Sequence, residues 1–370
     1  MKNLAELAGS RIGHPAVPRA AASQTLPVGK LPPELLAVVL ARFATNDAQI
    51  VMGPGIGMDC AVVRVDKRLL VFKSDPITFA TKELGYYLVH VNANDIATTG
   101  AQPRWLLLTM LMPEKHTKAR AVMRIADEVE AACREIGVAV IGGHTEVTHG
   151  LRRPLLIGTM IGEVGEKQLI TPHGARPGHR ILLTKGVPIE ATAILAREFP
   201  ERIRRNLGAA ALREARSYLF NPGIGVLHDA QSAISAGKVS AMHDPTEGGL
   251  VMALWELAEA SDCAIVFDPT AVPVPLVAAE ICRLFDLDPL AAIASGALLI
   301  TAPQQDAVHI RRALKKSGIT SADIGHVDNG PPAVWRTVPG GCKPVVKPKR
   351  DEIARLFGQS SRSRRLRSHH

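Results

Sequence analysis

The chain has 370 residues, of which 46% are hydrophobic and only 4% aromatic, so aliphatic side chains must form most of any core. No apolar run approaches the roughly 20 residues that a membrane-spanning helix needs, and the first 30 residues show no apolar stretch typical of a secretion signal. The net charge of +9 is concentrated after residue 342, where nine Lys or Arg residues face two acidic ones. The sequence therefore argues against a membrane protein and predicts a cytoplasmic protein of about two domains.

The predicted elements begin after residues 1–30, which we expect to be a flexible arm. In the first half the pattern predicts helices over 31–43, 82–99 and 115–136, and strands over 61–65, 68–73, 104–112, 138–141 and 155–164. A tight hairpin at Asp66-Lys67 joins the first two strands.

Residues 171–178 are rich in Pro, Gly, His and Arg and mark a domain junction. Beyond them we predict helices over 189–198, 209–219, 249–260 and 303–317, and strands over 180–184, 264–267, 296–301 and 322–327. This mixed order favours two α+β domains, 31–170 and 171–341, over a doubly wound sheet. Residues 342–370 would form a basic, flexible tail that is either a solvated end or a contact for nucleic acid or an acidic partner.

Five cysteines are scattered along the chain without a CxxC pair. Such spacing is typical of reduced, mostly buried thiols and argues against a disulfide framework or a zinc site.

A glycine-rich loop, GPGIGMD, holds Gly53, Gly55, Gly57 and Asp59. Glycines at this density let the backbone approach a ligand closely, and backbone amides in such a turn can bind phosphate. The loop lacks the Gly-Lys-Ser/Thr of a Walker A motif, and a flexible loop without a ligand is the plain alternative.

Two further polar motifs follow. Asp75 comes directly after the strand RLLVFK, where it either faces a site or simply forms a turn before Pro76. Asn92, Asn94 and Asp95 lie in an otherwise apolar helical stretch, where burying them is costly unless they bind a partner. A ligand or a hydrogen-bonded helix junction would satisfy them.

Two Gly-Gly motifs complete the set. Gly142 and Gly143 end a predicted strand and open a loop that places His144 and Glu146 on the same side. Gly248 and Gly249 begin a helix, where Asp244 or Thr246 can act as the cap and the amides can bind an anion.

Four carboxylates thus stand beside glycine-rich or polar segments: Asp59, Asp75, Asp95 and Asp244. Carboxylate oxygens suit Mg²⁺ better than zinc. Magnesium ligands together with backbone phosphate sites indicate nucleoside triphosphate chemistry.

Five blocks, in this order, resemble the signature blocks of the aminoimidazole ribonucleotide synthetase superfamily: GPGIGMDCAVV, KSDPI, VNANDIATTGAQPRW, GGHTEVT and MHDPTEGGL. This superfamily includes selenophosphate synthetase, thiamine-monophosphate kinase and the hydrogenase maturation factor HypE, and the blocks are most similar to those of HypE-like proteins. The resemblance covers residues 31–340. It implies a two-domain PurM-like α+β fold in which the N-terminal domains of a homodimer pair into a β-barrel.

By motif position, the resemblance implies that Asp59, Asp75 and Asp95 hold Mg²⁺ and that Asp95, His144 and Asp244 are catalytic. The residues implied to bind ATP, besides Asp59 and Asp75, are Gly53, Gly55, Gly57, Asn94, Gly142, Gly143, Thr145, Gly248 and Gly249.

The activity implied is that of an ATP- and Mg²⁺-dependent enzyme that phosphorylates an amide or carbonyl oxygen of a small or protein-bound substrate. Dehydration or ligation would follow, as in hydrogenase maturation. Two features depart from HypE, which carries its carbamoyl group on a terminal cysteine: this sequence ends Arg-Ser-His-His, with Cys342 the nearest cysteine, and His144 stands where HypE tends to have Asp.

Two alternatives stay open at the level of sequence. One is a small-molecule kinase or phosphate transferase of the thiamine-phosphate or selenophosphate type, in which Lys30 would reach a phosphate if the arm folded over the cleft. The other is a non-catalytic ATP-binding regulatory dimer whose basic tail recruits a partner.

Overall fold

The computed structural model describes residues 26, 29, 31–43, 46–55 and 57–357. Most of the predicted N-terminal arm, Lys30 and the last part of the basic tail lie outside the described residues.

The first half of the chain builds a six-stranded sheet in the order β1-β2-β3-β6-β4-β5. Only β4 and β5 run parallel in this sheet. The elements are α1 (Pro33–Leu40), β1 (Ile50–Met52), β2 (Ala61–Val65), β3 (Arg68–Pro76), α2 (Leu84–Thr98), β4 (Gln102–Pro113), α3 (Ala119–Glu135), β5 (Ala139–Thr148) and β6 (Leu155–Val164).

The second half builds a seven-stranded sheet in the order β13-β12-β9-β11-β7-β10-β8. Its elements are β7 (Arg180–Thr184), α4 (Ile189–Glu198), α5 (Pro200–Ser217), α6 (Leu227–Ala236), β8 (Ala241–His243), α7 (Gly249–Ser261), β9 (Ala264–Phe267), α8 (Leu276–Phe285), β10 (Leu299–Ala302), α9 (Gln304–Lys316), β11 (Ser321–Asp328), β12 (Ala333–Val338) and β13 (Gly341–Pro344). The two mixed sheets with helices confirm the predicted two-domain α+β fold.

The helix α2 is the central element of the first half, because it packs on the sheet through β3, β6 and β4 and also contacts α3 and α6. Thirteen of its fifteen residues are buried, so the helix has no face that is exposed to solvent along its length. Glycines in β6 permit this close packing: a Cβ at Gly162 would stand 2.4 Å from the Ile96 side chain. The sequence thereby places the polar residues of α2 inside the molecule.

Several predicted boundaries were wrong, and each for a physical reason. The strand predicted over 138–141 continues through the glycines to Thr148, because parallel pairing with β4 supplies hydrogen bonds that a loop would lack. The helix predicted over 209–219 is the second part of α5, which a non-helical backbone at Gly208 separates from a first part over 200–207 that the sequence did not predict, and it ends at Ser217. The sequence patterns did not predict six elements: β1, α6, β8, α8, β12 and β13.

The segment after residue 341 is a correction to the predicted flexible tail. Its first residues form β13 against β12, and residues 352–357 are helical. Asp351 and Ile353 are buried, at 4% and 0% exposure. Up to residue 357, therefore, this segment belongs to the folded molecule, and Phe357 packs against Phe79 of the first half and Phe199 of the second half.

Four cysteines, at positions 60, 133, 263 and 282, are buried and free, as expected for reduced thiols, whereas Cys342 is exposed. Within the part of the chain that the structure describes, no helix combines the length and apolar character needed to cross a membrane.

Candidate active site

A buried lysine stands at the centre of the predicted carboxylates. Lys73 Nζ lies 3.3 Å from Asp75 Oδ2 and 3.0 Å from Asp95 Oδ2. Lys73 and Asp75 are two residues apart in β3 and so point to the same face of the sheet, toward α2, which contributes Asp95. The side chains of Lys73 and Asp95 are only 11% and 4% exposed, so this ion pair is largely shielded from water.

Burial and charge together set the pKa values of this cluster. Burial alone lowers the pKa of Lys73, but the carboxylates of Asp95, Asp59 and Asp75 outweigh it, so the pKa stands well above its usual value and the ammonium is charged. Burial raises the pKa of Asp95 to about 7, against the opposing effect of Lys73. The pKa of Asp244 is also raised well above its usual value, first by burial and then by Asp95 and Asp59.

Asp244 brings a carboxylate from the second half of the chain to this cluster. It is 0% exposed, and neither carboxylate oxygen has a hydrogen-bond partner in another described residue. Burying a carboxylate without a partner is costly, so the position of Asp244 indicates that a cation or a polar ligand binds its carboxylate.

The neighbouring His243 joins the two halves of the chain beside the cluster. Its Nδ1 lies 3.5 Å from Asp59 Oδ2, and its Nε2 lies 2.8 Å from Glu256 Oε2 in α7. Asp59 therefore stands at the boundary of the two halves, at the end of the glycine-rich loop. Gly57 in this loop has φ of +74°, and a Cβ there would lie 3.9 Å from the Glu256 carbonyl oxygen, so the loop runs along α7.

The cluster opens into a large cleft with a volume of about 1090 Å³. Among the residues that line it are Asp59, Lys73, Asp75, Asp95, Thr246, Glu247 and Phe357. A cleft of this volume is at the upper end of the range for small-molecule and cofactor sites. Gly29 also lines the cleft, although Lys30 next to it lies outside the described residues.

Glu190, at the start of α4, is a further carboxylate of this cleft. It is 5% exposed, and its Oε2 has no hydrogen-bond partner among the described residues. Burial raises the pKa of Glu190 to about 7, although a hydrogen bond with Ser295 acts in the opposite direction. A carboxyl group that titrates near neutrality in a cleft is suited to proton transfer.

The two asparagines of α2 serve as structural supports. Asn92 Oδ1 accepts a hydrogen bond of 3.0 Å from the Asp75 backbone amide and so positions the end of β3. Asn94 donates to the Ile224 carbonyl and accepts from the Val226 amide, both at 2.8 Å. The side-chain amide of Asn94, which was predicted to bind ATP, therefore forms hydrogen bonds that join α2 to the second half.

The motif around Gly142 and Gly143 lies in the edge strand β5, and the predicted loop at this point was wrong. All of β5 except its last residue is exposed, and His144, 64% exposed, pairs with Glu146 at 3.2 Å. A Cβ at Gly143 would stand 1.8 Å from the Leu108 carbonyl oxygen, so the pairing with β4 requires glycine. These residues and Thr145 are not among those that line the cleft.

The helix α7 is capped from the far end of the chain. The N-cap residue Gly248 donates a backbone hydrogen bond of 2.6 Å to Asp351 Oδ2, and no side chain caps the helix from Asp244 or Thr246. The predicted anion site at Gly248 and Gly249 is therefore taken in this structure by a carboxylate of the chain itself. Burial raises the pKa of Asp351 to about 7, against the effect of hydrogen bonds from Gly248 and Ile353.

The donor chemistry fits Mg²⁺, although the three predicted ligands do not form a complete metal centre. Among the residues that the structure describes, no group of three or more His, Cys, Asp or Glu side chains is arranged to hold a metal ion. Magnesium is commonly held by one or two carboxylates with substrate phosphates and water as the other ligands. The unpartnered carboxylate of Asp244 beside Asp59 and Asp95 suits such a site.

Sequence reasoning missed Lys73, Glu190 and Asp351. Lys73 was missed because a lysine at the end of a predicted strand is usually exposed to solvent. Glu190 was missed because an acidic residue at the start of a helix is common in any protein. Nothing in the local sequence signals that Asp351 caps a helix more than 100 residues away.

Two family models match the chain. The AIR synthase related protein N-terminal domain matches residues 57–164, and the AIR synthase related protein C-terminal domain matches residues 176–335. The carbamoyl dehydratase HypE of Cupriavidus necator is 31% identical over 312 residues, covering 82% of this chain and 81% of that protein.

Two solved structures share the fold. The hydrogenase maturation protein HypE in complex with ATP has a TM-score of 0.61 at 24% identity and covers 77% of this chain and 87% of its own. ThiL complexed with AMPPCP and TMP has a TM-score of 0.67 at 18% identity and covers 86% of this chain and 95% of its own. At these identities the two structures show the fold alone.

Proposed function

Because the chain belongs to the AIR synthase related protein family, on its HypE-like branch, we propose that it is a cytoplasmic, ATP- and Mg²⁺-dependent dehydratase. Its substrate class is a carbamoyl group carried on a thiol, and its setting is hydrogenase maturation. The observation that carries the proposal is the cluster of Lys73, Asp75 and Asp95 that lines a cleft large enough for a nucleotide. The buried carboxyl group of Asp244 lies beside this cluster. A relative that is named a carbamoyl dehydratase over most of both chains supports the choice of reaction.

In the proposed reaction the carbamoyl oxygen attacks the γ-phosphorus of ATP, ADP leaves, and one proton leaves the nitrogen, which gives an O-phosphorylated imidate. The imidate then loses phosphate and the second nitrogen proton, which gives a nitrile on the thiol. One or two of the carboxylates of Asp59, Asp95 and Asp244 would hold Mg²⁺ together with phosphate oxygens, and the ion would neutralise the triphosphate charge. Overall, one ATP and one carbamoyl group give one ADP, one hydrogen phosphate, one nitrile and one proton.

The residues of the cleft have separate tasks in this proposal. Lys73 attracts the triphosphate, and Asp75 positions the Lys73 ammonium at the end of β3, with Asn92 holding the Asp75 backbone in place. Glu190, whose pKa lies near neutrality, accepts the second proton that leaves nitrogen. The glycine-rich loop containing Gly53, Gly55 and Gly57 covers the phosphates.

An isotope experiment tests this function. The substrate is a thiocarbamate, namely a peptide with an S-carbamoylated cysteine whose carbamoyl oxygen is ¹⁸O. This peptide would be incubated with the full chain, ATP and Mg²⁺. The proposed reaction transfers the label to phosphate, which mass spectrometry detects as heavier phosphate together with a thiocyanate product. A stable phosphorylated product would instead support the kinase alternative, and unlabelled phosphate would contradict the dehydration mechanism.

We also propose that the enzyme is a homodimer paired through β5. This edge strand has no partner on one side within the described chain and exposes Val140, Ile141 and Val147 at 46%, 54% and 57%. An exposed apolar edge strand is a template for pairing with another chain. In such a dimer His144 and Thr145 would lie at the interface, where we propose that they approach a nucleotide cleft.

A further inference from the structure

The most unusual feature of the cleft is that a lysine occupies the position between two predicted magnesium ligands. Lys73 Nζ bridges Asp75 and Asp95, which come from β3 and α2. A divalent cation performs the same task in many nucleotide sites, because it draws carboxylates of different elements to one point. In this protein the positive charge between the two carboxylates belongs to the Lys73 side chain.

The surroundings of Lys73 show that this ion pair is more than a support for the fold. A second buried ion pair, Lys185 with Asp229 at 3.1 Å, places one carboxylate beside an ammonium that also donates to the Gly225 carbonyl oxygen. Around Lys73, by contrast, the carboxylates of Asp95, Asp59 and Asp75 all act on one ammonium. Three carboxyl groups therefore act on one ammonium, which balances a single negative charge.

We propose that Lys73 is a built-in cation that replaces one divalent ion of the cleft. The chain would then need fewer divalent ions to hold a nucleotide, and loss of the lysine would open a divalent-cation site between Asp75 and Asp95. This inference rests on the proposed nucleotide cleft, since it concerns how that cleft balances the charge of its carboxylates.

The test counts bound Mn²⁺ in the full chain without nucleotide or substrate. Free Mn²⁺ is measured by electron paramagnetic resonance during a titration of the wild type, Lys73→Ala and Lys73→Met. We expect each neutral variant to bind one more Mn²⁺ per chain, at least about tenfold more tightly than any ion that the wild type binds. Lys73→Arg keeps the charge and should keep the wild-type count.

Lys185→Ala is the matched control, because it removes another buried lysine from a single carboxylate outside the cleft. It should gain no comparable Mn²⁺ site. If a Lys73 variant does not fold in metal-free buffer, refolding is followed by circular dichroism with Mn²⁺ and with NaCl of equal ionic strength. Recovery with Mn²⁺ alone supports the inference, and equal recovery in both contradicts it.

An unchanged Mn²⁺ count in folded Lys73→Ala and Lys73→Met would overturn the inference. This result can be distinguished from failure of the proposed function, because the Mn²⁺ titration contains no nucleotide. The proposed function fails when the wild type neither binds ATP nor processes a thiocarbamate, whatever the Mn²⁺ count of the variants.

Discussion

At the scale of single residues, the sequence predicts the acids of the cluster but not the lysine among them. Asp95 stood out because a carboxylate inside an apolar helix demands a partner. The partner is Lys73, whose position at a strand end gives no local sign of burial, since only the packing of α2 on β3 encloses it. Local sequence reveals the cost of burying a charge, whereas only tertiary packing reveals what balances it.

Glu190 offers a prediction at this scale. Its pKa is about 7 in the folded chain and near 4.5 when unfolded, so the folded state holds the proton more tightly. The resulting stability is fully present below about pH 4.5 and is lost as the pH rises toward 7, at up to about 1.4 kcal/mol per pH unit. Glu190→Gln, which stays neutral, should become progressively more stable than the wild type over this window.

Thermal midpoints at a series of pH values from about 4.5 to about 8 check this expectation. The exposed Glu114→Gln is the control for the loss of one carboxylate from the surface. A difference between Glu190→Gln and the wild type that does not change with pH would show that Glu190 is ionised in the folded state.

At the scale of elements, the sequence predicts most helices and strands but not where glycines sit inside them. The strand β5 passes through Gly142 and Gly143, which look like a strand end in isolation. The backbone carbonyl of Leu108 leaves no room for a side chain at Gly143, so the glycine here serves strand pairing. Such a constraint comes from the neighbouring strand and is absent from the local pattern.

The exposed edge of β5 leads to a prediction about assembly. Ile141→Glu places a charge on the apolar edge, where it would have to be buried in a dimer, and should convert the dimer to a monomer at micromolar concentration. Size-exclusion chromatography with light scattering measures the mass. Val308→Glu, at an apolar position in α9 that is 46% exposed, should leave the dimer intact. A monomeric wild type, or a dimeric Ile141→Glu variant, would refute pairing through β5.

At the scale of the whole molecule, the mixed order of the predicted helices and strands, together with the junction at residues 171–178, predicts the two α+β halves. The contacts between the halves were beyond the sequence. Asn94 joins α2 to Val226, His243 joins Asp59 to α7, and Asp351 caps α7 from the end of the described chain. Each contact links residues that are far apart in the chain, so no local sequence pattern predicts it.

Residues of both halves line the cleft, and the central proposal is that this cleft binds ATP with Mg²⁺. Isothermal titration calorimetry with ATP, with and without Mg²⁺, tests it most directly, on the wild type, on Asp75→Asn and on Asp66→Asn. Asp66 is an exposed residue of the β2–β3 hairpin, so its variant makes the same chemical change outside the cleft. We predict Mg²⁺-dependent binding at micromolar concentration in the wild type and in Asp66→Asn, weakened at least about tenfold in Asp75→Asn. Absence of binding in the wild type, or equal binding in all three proteins, would contradict the account.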